Sequence, residues 1–361
     1  MENVTYLFGA GASANAIPTV RYFNARLEML IKLFDSLKYP NIDTITGLDY
    51  EHLEVVNDKL KTIYNNIKSH YSIDTFAKKL YLKDSSNPDY LDLKHIINFV
   101  IALEQINDKN KLFHRISHKN YKVLDHLTQN EKDTLISLNK YYLDHRYDVF
   151  LSSIFKDKLI WPENIKVLTY NYDNQFEKAY GYYADYYSAY KDLKIYLPKY
   201  TKTPNIIKLN GFSIINKLTL SSNNVDFNSS INDNTPTDTV IFAQLVNNLY
   251  DKFFTHEDEN QPCLINFAWE TSNPYITGYS KLVENIIKET EHLVINGYSF
   301  PEFNRESDVK ILQNLRDNIN VHIQTLPETF EAISARFKQR APQHQKYKIE
   351  RVLFIDQFFI P

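Results

Sequence analysis

The stretch that decides the fold is VTYLFGAGAS, residues 4–13. Val4-Thr5-Tyr6-Leu7-Phe8 is β-branched and aromatic, as a buried strand should be, and it breaks directly into Gly9, Gly11 and Ser13. Glycines at that point remove side chains where the chain turns, and they leave backbone N–H groups bare. Bare amides between a strand and a helix form an anion site, because the helix adds its positive end to the same spot. A nucleotide phosphate is the usual occupant. The alternatives are a tight turn made by the glycines and a helix N-cap made by Ser13. The third glycine of the ordinary dinucleotide fingerprint is absent, and no acid stands at an obvious second-strand position about twenty residues on, so this is not an ordinary dehydrogenase loop.

Outward from this stretch, 361 residues suffice for two domains or for one large α/β domain with an insertion. Lys and Arg number 41 against 44 Asp and Glu, a net charge of −3 with no long block of either sign, so nucleic acid is not a predicted partner. No apolar run approaches the roughly 20 residues that span a bilayer, and the N-terminus reads as a core strand rather than a leader. A cytoplasmic protein with no membrane partner is therefore expected. Cys263 is the single cysteine, so the chain can build neither an internal disulfide nor a thiolate zinc site. With 27 tyrosines and only 7 glycines, turns must be made largely by Asn and Asp, and each glycine is worth locating.

After the glycine loop, Phe23, Leu27, Leu30, Ile31 and Phe34 recur at helical spacing and predict a helix ending before Pro40. The pattern stays helical to about residue 160, with strong segments at LDLKHIINFVIALEQI (91–106) and DTLISLNKYYLDHRYDVFLSSIF (133–155). Residues 31–160 read as an inserted helical module. Its many aromatic periodic positions lead us to expect a subunit interface or a docking surface for a partner protein, the alternative being a self-contained helical subdomain.

Strand character returns at NIKVLTYNYD (164–173), NIIKLNGF (205–212), PCLINFAW (262–269), HLVINGYSF (292–300), NVHIQTL (320–326) and RVLFI (351–355). Helical patterns such as YSKLVENIIKET (279–290) and ESDVKILQNLRDN (306–318) separate several of them. This alternation predicts an α/β fold with a parallel sheet flanked by helices, discontinuous over 1–30 and 161–361. SSNNVDFNSSINDNTPTDT (221–239) is read as a polar loop over the site.

In an open parallel sheet, ligands sit at the carboxyl ends of the strands. There the sequence places Asn171-Tyr172-Asp173, Asn210-Gly211 and Gly297-Tyr298-Ser299, on the same edge as Gly9–Ser13. Each has an alternative as local structure: Asp173 as an N-cap, Asn171 as a turn residue, Asn210 as half of an Asn-Gly turn, and Tyr298 as a packing residue.

With these motifs in hand, the sequence resembles the SIR2-like superfamily, in particular the bacterial NAD-consuming proteins of anti-phage defence. Gly9-Ala10-Gly11-Ala12-Ser13, followed by Ile17-Pro18 and Arg21, resembles the family's NAD-covering loop, one residue shorter and with Thr19 at the position of an acid. Thr169-Tyr170-Asn171-Tyr172-Asp173 matches Thr-x-Asn-x-Asp, Lys208-Leu209-Asn210-Gly211 falls at Leu-His-Gly, and Gly297-Tyr298-Ser299 at Gly-x-Ser. The resemblance implies a Rossmann-like, SIR2-like sheet. It implies NAD as substrate, held by Gly9, Ala10, Gly11, Ser13, Arg21, Thr169, Gly297, Tyr298 and Ser299, with Asn171, Asp173 and Asn210 at the chemistry. It further implies NAD+ cleavage in defence, by a homo-oligomer or with a partner protein.

Two departures bear on that implication. One cysteine cannot make the four-cysteine zinc ribbon of the sirtuin deacylases, so protein deacylation is disfavoured and no zinc is expected. Asn210 stands where the family has its basic histidine, and a neutral amide cannot take a proton. Breaking the nicotinamide–ribose bond needs little proton transfer, and loss of a base that typically adds about 10²–10⁴-fold slows turnover without forbidding it. Asp173 is the nearest group to compensate. Two functions follow from the sequence, an NAD+ glycohydrolase and, as the alternative, a catalytically silent NAD- or ADP-ribose-binding module of a defence complex.

Overall fold

Val4–Phe8 forms β1, all five residues buried and paired in parallel on both sides. The structure is a computed structural model, and it describes residues 2–37, 49–105, 143–156, 158–184, 188–196, 203–213, 237–254, 265–270 and 279–361. Five further strands, β2 (Ile165–Thr169), β3 (Ile206–Lys208), β4 (His292–Asn296), β5 (Asn320–Gln324) and β6 (Lys348–Val352), complete a six-stranded sheet of order β3-β2-β1-β4-β5-β6. Every neighbouring pair is parallel. Buried on both faces, the central strands carry near-continuous apolar runs, which is why their periodicity is so plain in the sequence. Strand order reverses between β1 and β4, and the crevice outside such a reversal is the usual ligand position in an open α/β sheet.

The chain divides into two compact units. The sheet unit comprises Met1–Ser13, Leu143–Phe212 and Leu264–Pro361. One face of its sheet is aromatic. Phe150 packs edge-on against Tyr6 at 5.0 Å, and Tyr147 against Phe8 at 5.9 Å, with Phe176 and Phe358 closing the cluster. The other face is largely aliphatic, with Leu7, Leu168, Ile295 and Ile323 under Val283, Ile287, Leu312 and Phe337 of the helices Ser280–Glu289, Arg305–Leu312 and Phe330–Arg340.

The helical unit comprises Ala14–Tyr142 and Ser213–Cys263. Its described helices are Val20–Leu37, Tyr50–Lys68, Ile73–Lys83, Pro88–Glu104 and Thr237–Phe254. Asp49, Ser72 and Asn87 cap three of them, and Pro88 takes the first helical position, where no N–H is needed. Pro88–Glu104 is buried around most of its circumference. Arg26 reaches its Glu104 at 3.1 Å, and Lys59 pairs with its Asp92 at 2.6 Å. The ring of His52 stacks on Tyr250 at 3.7 Å, tying Thr237–Phe254 to Tyr50–Lys68.

These bounds differ from the expected 31–160. The helix His145–Ile154 belongs to the sheet unit, because Tyr147 and Phe150 pack on β1. Helical periodicity shows that a stripe is apolar but not which core it meets. The polar stretch 221–239 ends inside the helix Thr237–Phe254, its residues 221–236 lying outside the described ones. Of the segment 262–269, Ile265 makes only an isolated antiparallel bridge to Gly211, and 262–264 lie outside the described residues, as do 133–142. β6 ends at Val352 rather than spanning 351–355, and Leu353 and Phe354 are exposed. An edge strand tolerates charges such as Lys348, Glu350 and Arg351, so the apolar run just beyond it gave the stronger signal. Among the described residues, no helix is long and apolar enough to cross a membrane.

Candidate functional site

Ser13 is the centre of the site, although the glycines before it shape the backbone. The chain leaves β1 into a 3-10 turn, Ala10–Ser13, and not into a long helix. Gly9 N donates to Asn296 O at 3.0 Å, Gly11 N to Gly297 O at 2.9 Å, and Ala12 N to Gly9 O at 2.9 Å. The sequence predicts bare amides here, and these three are instead paired with carbonyls. The glycines are there for close approach of two strand-end turns. A Cβ on Gly11 would lie 2.7 Å from Gly297 Cα, and one on Gly9 would lie 2.6 Å from Tyr298 Cα. Gly297 has φ +60°, and a Cβ there would lie 2.2 Å from Ala12 N.

This interlock delivers Ser13, 1% exposed, beside the end of β2. Its Oγ lies 2.8 Å from the Tyr147 hydroxyl and accepts from Asn171 Nδ2 at 3.1 Å, and it lowers the pKa of the nearby Asp173 carboxyl. A serine hydroxyl has one proton and two lone pairs, so it can accept from Asn171 and still exchange a hydrogen bond with Tyr147. Thr169 Oγ1 accepts from Asn171 N at 3.0 Å and fixes the turn. Gln175 N donates to Asp173 Oδ1 at 3.2 Å, but the N-cap of the helix Gln175–Tyr180 is Asn174 and not Asp173, which closes the turn one residue earlier.

Burial pushes the Asp173 carboxyl up to about 6, against the lowering effects of Lys208, the Ser13 hydroxyl and the Gln175 N–H. Burial, reinforced by the charge of Asp173, raises the Tyr147 phenol well above its ordinary value. A carboxyl titrating near neutrality in a dry turn is suited to taking or giving a proton at physiological pH.

Asn210 follows β3 at the next step of the ladder, where Leu209 N donates to Thr169 O at 2.7 Å. It lies inside a turn closed by Gly211 N to Lys208 O at 3.2 Å, with Gly211 at φ +84°. Its carbonyl accepts from Asn266 N at 2.8 Å, and its side-chain Oδ1 is buried without a hydrogen-bond partner among the described residues. Such an atom costs free energy unless something donates to it.

The remaining candidates fall elsewhere. Ala10 and Ser299 are exposed on the same edge, and Ser299 O accepts from Arg336 at 2.9 Å. Tyr298 is buried, stacked on Tyr170 at 4.6 Å, and both hydroxyls donate to Asp308 Oδ1, at 2.7 and 2.9 Å. Burial raises Asp308 to about 7 despite those donors and Arg340, whose Nε is 3.3 Å from Oδ2. Arg21 belongs to the helix Val20–Leu37 of the other unit, and its side chain lies outside the described residues.

Tyr147 and Arg146 were invisible as site residues in the sequence. Arg146 is held by Asp144 at 2.6 Å and donates to Gly11 O and Ala12 O at 3.0 and 3.2 Å, which anchors the loop carbonyls. Their signal, a helical stripe, pointed only to packing. Lys208 had a better one, a lone charge inside the apolar strand NIIKLN. Among the described residues, no three His, Cys, Asp or Glu side chains form a group that could hold a metal ion. No protein-family model matches the sequence, and no curated protein matches it.

Proposed function

We propose that the chain is a SIR2-like NAD+ glycohydrolase, cleaving the nicotinamide–ribose bond to give ADP-ribose and nicotinamide. The observation that carries this reading is the buried Ser13 hydroxyl held by Asn171 near the buried Asp173 carboxyl, at the edge where the strand order reverses. Residues singled out from two separate motifs, Ser13 of the glycine loop and Asn171 of the run after β2, thus share a hydrogen bond.

In this mechanism the ribose lies against Asn171 and Asn210, whose orphaned Oδ1 takes a hydrogen bond from a ligand hydroxyl. The carbon–nitrogen bond breaks toward an oxocarbenium-like centre, and nicotinamide leaves as a neutral base. Fixed dipoles and exclusion of water supply most of the rate. Water then adds to the ribose carbon and gives up a proton to Asp173, ionised above about pH 6. Gly9 and Gly11 contribute the shape of the wall, and Ser13 its polar contact. Depletion of cellular NAD+ in phage defence, and assembly with a partner or as a homo-oligomer, belong to the same proposal and rest on the motif resemblance.

The second reading, a silent NAD- or ADP-ribose-binding module, is favoured by one observation, the neutral Asn210 at the histidine position. The test is incubation of the full chain with NAD+ from pH 5 to pH 9, with nicotinamide measured by chromatography. Release that disappears in Asp173→Asn supports the hydrolase. Calorimetric binding of NAD+ with no release at any pH selects the silent module, and neither binding nor release overturns both.

A further inference from the structure

Lys208 is the one charged residue of β3 and is buried to 1% at its side chain. A lysine in that setting must spend all three ammonium protons. It does so on Asp173 O at 2.7 Å, Asn174 Oδ1 at 3.1 Å and Glu177 Oε1 at 2.6 Å. Two of these acceptors belong to the turn that carries Asp173, and the third sits one helical turn further on. Glu177 is itself fully buried, and its Oε2 makes no hydrogen bond among the described residues. A buried ion pair of this kind is a weak source of stability, because desolvation offsets most of the attraction. Its geometric consequence is specific: it pins the Asp173 carbonyl to the neighbouring strand.

We propose that Lys208 is a positioning residue for Asp173, holding the Asp173–Asn174 turn against β3 and placing a cation beside its carboxylate, with Glu177 as the counterweight. The inference rests on the reading of Asp173 as the proton-transfer group. The groups acting on Asp173 are Lys208 from β3, Glu177 and the Gln175 N–H from the helix Gln175–Tyr180, and Ser13 from the loop, while Tyr147 of the helix His145–Ile154 feels the charge of Asp173 in return. Asp144 and Arg146 act in turn on Tyr147. Lys208 favours the ionised carboxylate and Glu177 opposes it.

That opposition yields a test with a sign. A merely structural pair would, on loss of either member, loosen the turn and move Asp173 the same way. A positioning pair moves it in opposite directions. The measurement is the titration of the Asp173 carboxyl in full-length protein labelled with 13C at the aspartate Cγ, its resonance assigned with Asp173→Asn.

Glu177→Gln should lower the midpoint from about 6, and Lys208→Met should raise it by about one pH unit. Because Lys208→Met alone leaves Glu177 buried and unpaired, the same comparison is made in the Glu177→Gln background, where adding Lys208→Met should again raise the midpoint. The acid limb of NAD+ cleavage should follow each shift. A midpoint that does not rise when Lys208 is removed from the Glu177→Gln protein overturns the proposal, as do shifts of the same sign in the two single variants. If the full chain releases no nicotinamide at any pH, the hydrolase reading fails, and the carboxyl titration still decides the role of Lys208.

Discussion

Gly11→Ala tests the interlock on which the site is built. The new Cβ would stand 2.7 Å from Gly297 Cα and 3.0 Å from Gly297 O, and an ordinary carbon–carbon contact needs about 3.5–4.0 Å. The loop must therefore retreat by about 1 Å from a backbone that cannot move aside as a side chain could. Retreat stretches the Gly11 N to Gly297 O bond, now 2.9 Å. Overpacking costs about 1–3 kcal/mol and a weakened hydrogen bond about 0.5–1.5, so the substitution should destabilise the sheet unit by about 2–4 kcal/mol. Gly297→Ala should cost more. It adds the left-handed penalty of about 1–2 kcal/mol at φ +60° to a Cβ 2.2 Å from Ala12 N. The double variant should cost less than the sum, since both methyl groups open the same gap.

Urea unfolding followed by tryptophan fluorescence reads this directly, because both tryptophans, Trp161 and Trp269, lie in the sheet unit. With a urea slope of about 1–3 kcal/mol per M, the Gly11→Ala midpoint should fall by about 1–2 M. A Gly11→Ala protein within about 0.5 kcal/mol of the parent, or a Gly297→Ala protein milder than Gly11→Ala, would refute the close-approach account and return the glycines to a purely ligand-facing role.

Three further outcomes are expected. Asn171→Ala should abolish nicotinamide release while calorimetric NAD+ affinity changes less than about tenfold, since its amide counts chiefly in the transition state. Asn210→His should raise turnover by up to about 10²-fold, with a new limb in the pH–rate profile near 6.5; a flat profile with affinity retained would leave Asn210 as a binding contact. Asp308, raised to about 7 by burial, keeps its proton in the folded protein at pH values where the unfolded chain has lost it, so stability falls as pH rises from about 4 to about 7. Asp308→Asn should flatten that fall, and urea midpoints at pH 4.5 and 7.5 that drop equally in both proteins would contradict it.

What the sequence determined by itself is the sheet and its polar edge. Buried parallel strands are legible because both faces must be apolar over consecutive residues, and their polar ends at Gly9–Ser13, Asn171–Asp173, Asn210 and Gly297–Ser299 stand out against those runs. Local signals also found the helix Pro88–Glu104 and the turn at Asp173, since both depend on residues within a few positions of each other. What only tertiary structure decided is how groups far apart in the chain share atoms. The amides of Gly9 and Gly11 belong to the carbonyls of Asn296 and Gly297, some 286 residues away, and Tyr147 reaches Ser13 across 134. No periodicity records such partners. Nor could a stripe of aromatic residues tell that His145–Ile154 faces the sheet, or a lone lysine in β3 that its three protons hold the turn of Asp173, because an ammonium buried in a strand is specified by what it meets there.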